Sequence, residues 1–279
     1  MDPKSATHIL YHAHCDDGFG AAWAAWRTLG DRAVYVPVSH GAAAPALPAS
    51  ARVVLVDFSY PRAELLALRE RCQDLFVVDH HKTAQQELAG LDYTIFDMER
   101  SGAHLAWEFF HPGEPLPELL AYVEDKDLWR FALPQSKEVT IALRSYPMDF
   151  QVWTRLSVDE LKREGTILLR LQEQLVNEAC ARARWSQVGG HRVPVVNATD
   201  FRSEIANRLC DLHPSAPFAA AYYDDEHGLR TWSLRSVADF DVSEVARRLG
   251  GGGHKHSAGF QEPAAQDPSG SRSASGSPP

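Results

Sequence analysis

Cysteine is scarce in this chain. The four thiols, Cys15, Cys72, Cys180 and Cys210, are scattered and form no CxxC pair. A disulfide framework is thereby excluded, and a reducing compartment fits. Long apolar runs are missing as well. No window approaches the roughly 20 residues that a membrane helix needs. Residues 1–7 are mostly polar, and the apolar run after them is too short for a secretory signal. The expected location is cytoplasmic, with no membrane partner. Positive charge is in deficit, with 28 Lys and Arg against 37 Asp and Glu and a net charge of -9. That balance argues against a basic surface coating nucleic acid. It leaves room for a small phosphate ligand, because bound metal ions add positive charge that a residue count misses. No internal repeat is visible.

What is present is an ordinary globular composition, 44% hydrophobic and 23% charged over 279 residues. This is enough for two modest domains. Early in the chain, strand patterns (residues 8–12, 34–38, 52–57 and 75–79) alternate with helical ones (18–29 and 62–71). Alternation of this kind predicts βαβ units, a parallel sheet and helices on both of its faces, an α/β fold. Ser101 reads as the N-cap of a helix over 103–110. A helix over 117–124 delivers Asp125 and Asp127. Residues 158–185 read as one long amphipathic helix with Leu161, Ile167, Leu168, Leu171, Leu175 and Val176 on its apolar stripe. Strands are expected at 192–196, 218–223 and 230–235, and helices at 204–212 and 242–249, forming a smaller α+β unit. The expected domains are 1–150, a connector over 151–186, a second domain over 187–262, and a disordered Pro-, Ser- and Gly-rich tail over 263–279.

Three apolar strands end in polar, metal-competent side chains. Val77-Val78 runs into Asp79-His80-His81. Val53-Val54-Leu55-Val56 ends in Asp57. Ile9-Leu10-Tyr11 ends in His12 and leads to Cys15, Asp16, Asp17 and Gly18. Burying such groups without partners costs several kcal/mol each. The C-terminal ends of parallel strands are also where α/β proteins build their sites. Carboxylates gathered there repel one another unless cations lie between them. Mixed imidazole and carboxylate donors suit Mn²⁺, Fe²⁺, Zn²⁺ or Co²⁺ better than Ca²⁺. The number of donors fits two ions, roughly 3.5–4 Å apart. Near the other end, the loop Gly250-Gly251-Gly252-Gly253 precedes His254. Its backbone amides and nearby Arg235 suit an anion.

These segments resemble the DHH phosphoesterase superfamily, in its branch with an appended DHHA1 domain. Asp79-His80-His81 matches the motif that names the superfamily, and Asp57 its second-motif aspartate. Asp125 best matches the fourth-motif aspartate, with Asp127 a close rival. Ser233-Leu234-Arg235-Ser236, followed by Asp241-Val242 and Gly250 through His254 to Ala258-Gly259, is similar to the DHHA1 signature. The resemblance covers residues 8–260 in order. One departure stands in the first motif, where Cys15 occupies a position that other members fill with aspartate. Either Cys15 or Asp16 then completes that metal's shell, and His14 is unassigned.

The resemblance implies a hydrolase with two divalent metal ions, usually Mn²⁺, that directs water onto phosphorus. Asp57 would bridge the ions. His12 with Cys15 or Asp16 would hold one, and Asp17, His80 and Asp125 the other. Asp79 would ligate a metal or orient a ligand. His81 would meet the phosphoryl or leaving oxygen. Arg235, Ser236, Gly252, Gly253 and His254 would bind the rest of the substrate. Long single-stranded nucleic acid needs a basic groove with stacking platforms, which the sequence does not display. Trp129, Phe131 and Tyr146 are the aromatics available to stack on a base. The expected substrate is therefore very short RNA or a linear dinucleotide, cut 3′ to 5′ to mononucleotides. Cyclic dinucleotides and polyphosphate are the alternatives within hydrolysis, and a metal-dependent nucleotide sensor is the alternative outside it. A homodimer is compatible with the resemblance.

Overall fold

The computed structural model describes residues 1–226 and 228–264. It divides into two units, Met1–Leu175 and a second beginning at Val176.

The first unit opens with β1 (His8–His12), α1 (Asp16–Leu29), β2 (Val34–Val38), β3 (Arg52–Val56), α2 (Arg62–Arg71), β4 (Asp74–Asp79), α3 (Lys82–Glu87) and β5 (Thr94–Phe96). The strands form a five-stranded parallel sheet in the order β2-β1-β3-β4-β5. Val53, Val54, Leu55 and Val56 of β3 are each 0% exposed, which a strand covered on both faces requires. Alternate residues serve opposite cores. Ile9, Val54, Val56 and Val78 pack with α1. Leu10, Val53, Leu55 and Val77 pack with Leu65 and Leu68 of α2. The chain leaves β1 for β2 on one side and returns to β3 on the other. The order reverses between β1 and β3, and open sheets place ligands outside the carboxyl ends of strands at such a point.

A helical region follows, with α4 (Gly102–Phe110), α5 (Glu118–Asp127), α6 (Ser136–Leu143), α7 (Phe150–Arg155) and α8 (Val158–Cys180). The long helix ends five residues short of the expected 185. Residues Arg184–Val188 form β6 instead, pairing antiparallel with β7 (His191–Asn197). Gly189 and Gly190, at φ 56 and 85, make the two-residue turn between them, so the hairpin outcompetes the end of the helix. Leu161 and Val176 of the expected stripe are buried, whereas Ile167, Leu171 and Leu175 are exposed.

The second unit adds α9 (Arg202–Leu212), β8 (Ala219–Asp224), β9 (Leu229–Arg235), α10 (Val242–Arg248), β10 (Gly252–His254) and β11 (Ser257–Pro263). Its six-stranded sheet runs β10-β11-β9-β8-β7-β6. Only β7 and β8 pair in parallel among its described strands. Half of the Gly-rich segment expected as an anion-binding loop lies in an edge strand, with Gly252 and Gly253 paired to Gly259 and Ala258. Ordered strand also continues to Pro263, past the expected end of the second domain. The remainder of the expected disordered tail, from 265 on, lies outside the described residues. Among the described residues, no helix is long and apolar enough to cross a membrane.

Candidate metal centre

Asp57 follows the last residue of β3 and adopts a left-handed backbone, φ 54, while its N–H donates to the Val78 carbonyl of the neighbouring strand end. This reverses the chain at the strand end and fixes the carboxylate there. It is 1% exposed, as are Asp17 and His80, and Asp79 is 0% exposed. His80 Nε2 lies 3.1 Å from Asp57 Oδ1, 3.5 Å from Asp17 Oδ2 and 3.6 Å from Asp127 Oδ2. His12 Nδ1 lies 3.5 Å from Asp57 Oδ2. The two oxygens of Asp57 thus face different partners. Neither accepts a well-formed hydrogen bond, although both are buried.

Donors converge in two sets beside Asp57. His12, Cys15 and Asp57 bring ligand atoms within 4.8 Å of one another, and so do Asp17, His80 and Asp127. Asp57, Asp79 and His81 form a further such group. These buried and half-buried oxygens, imidazoles and a thiol fit divalent transition-metal ions in both number and chemistry. The electrostatics agree. Burial, then the Asp57 and Asp127 carboxylates, push the Asp17 carboxyl well above its ordinary value. Burial also opposes ionisation of Asp57, but the His12 and His80 imidazoles outweigh it and hold the carboxyl well below the usual range. Burial and then the carboxylates of Asp57, Asp127 and Asp17 push the Cys15 thiol well up. A cation would relieve this charge crowding and favour the thiolate.

The residues left open in the first and fourth motifs have different surroundings. Cys15 joins His12 and Asp57, whereas Asp16 turns to Lys126, with Nζ 3.8 Å from its Oδ2. His14 is exposed and occupies a left-handed turn position, φ 56. Asp125 belongs to none of these donor groups. Its Oδ1 accepts the Ala132 N–H at 2.9 Å and its Oδ2 the Leu133 N–H at 3.1 Å. Those bonds tie down the loop after α5, which has left-handed residues at Trp129 and Phe131. Asp127 takes the place beside His80.

Asp79 is held by its own chain. Its Oδ1 accepts the His80 N–H at 2.7 Å and stands 2.7 Å from His81 Nδ1, and its Oδ2 accepts the Ser59 hydroxyl at 2.6 Å. Burial opposes its ionisation, but the His81 imidazole lowers its pKa overall. Asp17 is gripped by the start of α4, where Gly102 N and Ala103 N donate at 2.6 and 3.0 Å, and Ser101 caps that helix through the His104 N–H. Helix N-termini favour carboxylates in this way. A Cβ on Gly102 would lie 2.4 Å from Asp57 Cβ, so only glycine lets the helix approach.

Sequence reasoning overlooked Ser59, Gly102 and His40. The Ser-Gly pair at a helix start was a readable signal for Gly102. His40, in the segment after β2, sits beside His12 and His81. The protein atoms around its ring strip water from it and, with help from those two imidazoles, lower its pKa to about 4, although the residue as a whole is exposed.

In the second unit, Arg235 ends β9 and pairs in register with Ser257, which pairs with His254 on β10. Residues in register on adjacent strands share a sheet face. The Arg235 guanidinium also donates to the Ser203 hydroxyl at 2.5 Å and the Leu234 carbonyl at 2.8 Å. Ser236 is buried and donates to the Phe240 carbonyl at 2.7 Å, which fixes the turn after β9.

No protein-family profile matches the chain. It is similar to the uncharacterized protein R106 of Acanthamoeba polyphaga mimivirus, at 30% identity covering 90% of this chain and 66% of the relative. It is also similar to oligoribonuclease NrnB of Bacillus subtilis strain 168, at 28% identity covering 66% of this chain and 51% of the relative. The chain therefore spans about two thirds of one of these curated relatives and half of the other. In fold it resembles an exopolyphosphatase-related protein from Bacteroides fragilis, with a TM-score of 0.53, 13% identity, and coverage of 94% of this chain and 88% of that one. With the ordered motifs and the two-unit architecture, the chain belongs to the DHH phosphoesterase superfamily and has the DHH/DHHA1 arrangement.

Proposed function

We propose that the protein is a metal-dependent phosphodiesterase that hydrolyses very short RNA or linear dinucleotides, from the 3′ end, to mononucleotides. The observation that carries this reading is Asp57, a buried carboxylate with one oxygen towards His12 and the other towards His80. It is the residue that two ions would share. His12, Cys15 and Asp57 would hold one, and Asp17, His80, Asp127 and Asp57 the other, with Mn²⁺ the favoured metal. Such a pair supplies Lewis acidity and an acidified water. Asp79, kept ionised by His81, accepts the hydrogen bond of that imidazole's Nδ1–H and so fixes its tautomer. His81 then meets the phosphoryl group or the leaving oxygen through its other nitrogen. Arg235 and His254 bind a substrate phosphate from their shared sheet face. Ser236, Gly252 and Gly253 shape the backbone around them. The net charge of -9 favours a small substrate over a long polyanion, and the Bacillus relative bears the name of an oligoribonuclease.

The test is a product analysis with Mn²⁺ and a panel of pApA, pGpG, a cyclic dinucleotide, a five-nucleotide RNA and polyphosphate. The expected result is mononucleotides from the linear dinucleotides and the pentamer, all lost in Asp57→Ala. Preferential cleavage of the cyclic dinucleotide or polyphosphate would overturn the substrate assignment. Ligand retention without any product would make the protein a sensor.

A further inference from the structure

A trio of nitrogen donors lies beside the mixed set. The ring centroids of His12 and His40 are 5.0 Å apart, those of His40 and His81 5.9 Å, and those of His12 and His81 6.1 Å. Interplanar angles of 66°, 80° and 77° turn ring edges towards neighbouring rings. One nitrogen from each ring lies within 4.8 Å of the other two. Tetrahedral zinc, about 2.1 Å from each nitrogen, would hold them about 3.4 Å apart. Closing the trio therefore requires movements of the order of 1 Å, the scale of small side-chain rotations.

The surroundings favour such a closure. Phe58 is buried, and its ring lies 5.0 Å from His40 and 6.3 Å from His12, forming a floor beneath two of the three imidazoles. His40 itself is exposed, so an ion reaches the trio from solvent. Three imidazoles with a solvent-facing fourth position are the donor set of an open zinc site. Nitrogen donors without carboxylate favour Zn²⁺, whereas the oxygen-rich sets around Asp57 suit Mn²⁺.

We propose that His12, His40 and His81 form a zinc site distinct from the Asp57-centred sets, with His40 as the ligand that this site alone uses. His12 and His81 also belong to groups containing Asp57. Zinc on the trio would draw both imidazoles away from that carboxylate. The inference goes beyond the proposed reaction and does not depend on which phosphoester is cleaved.

Binding to the metal-free full chain, without substrate, tests it. Zn²⁺ and Mn²⁺ affinities are measured by equilibrium dialysis with metal analysis for wild type, His40→Ala and His40→Gln. Both substitutions lie at an exposed position, and circular dichroism checks the fold. The tightest zinc binding is expected to weaken at least about tenfold in both variants, with Mn²⁺ affinity unchanged. Zinc binding as tight as wild type would overturn the site. An equal fall in Mn²⁺ affinity would also overturn it, by making His40 a ligand of the mixed set.

Discussion

Asp125 and Asp127 lie two positions apart on the last turn of α5, yet their partners are unrelated. Asp125 is 5% exposed and accepts two backbone amides, whereas the Asp127 carboxylate reaches His80. Replacing each by alanine should therefore give opposite outcomes. Asp125→Ala leaves two amides without their acceptor and is expected to cost about 3 kcal/mol in urea unfolding. Its Mn²⁺ affinity should change little. Asp127→Ala is expected to cost little stability and to weaken Mn²⁺ binding by more than the roughly 10–100-fold typical of losing an outer-shell partner. Metal titration and denaturation of the two variants side by side decide the matter, and a stronger metal defect in Asp125→Ala would refute it. The sequence showed both residues as candidates. It could not choose, because the choice rests on where the loop at 128–135 turns, and that loop uses left-handed residues at Trp129, Phe131 and Gln135.

At the level of elements, the site is a set of strand ends met by one helix start. Parallel pairing brings the ends of β1, β3 and β4 together, with His12, Asp57 and Asp79-His80 at or just beyond them. Their apolar runs and polar terminations made that part readable from sequence. The contribution of α4 was less visible, because its amides meet an aspartate 85 positions away. Its approach depends on Gly102. In Gly102→Ala the new methyl would lie 2.6 Å from Asp57 Oδ1, so the helix or the carboxylate must move. We expect a loss in kcat/KM on the order of 100-fold and a stability cost of about 1–3 kcal/mol. Turnover equal to wild type would show that the helix start does not position Asp57. The second unit illustrates the opposite error. Its glycine run suggested a loop, but ladder bonds to β11 draw its second half, Gly252 and Gly253, into an edge strand.

At the level of the whole molecule, each unit has its own cores, and the first unit carries the mixed donor set. Ligand binding stabilises the state that holds the ligand, by about 2.7 kcal/mol when the free metal is at 100 times its Kd. Saturating Mn²⁺ should therefore slow the most protected amides of β1, β3 and β4 by up to about 100-fold in hydrogen exchange. Those of β7, β8 and β9 should change little, and EDTA should reverse the effect. Equal slowing in both units would contradict a metal centre confined to the first.

The sequence alone determined the α/β class of the first unit, the boundaries of its main elements and the strand ends that gather its candidate metal donors. These follow from local patterns: apolar runs, helical spacing and the residues that end them. It also carried enough ordered motif to identify the superfamily. Only the tertiary structure decided that Cys15 rather than Asp16 turns to Asp57, that Asp127 rather than Asp125 reaches His80, and that His40 lies beside His12 and His81. Each of those outcomes depends on backbone turns and on contacts between segments distant in the chain. Neighbouring residues of the same type look alike in a sequence, and burial and backbone direction separate them only after folding.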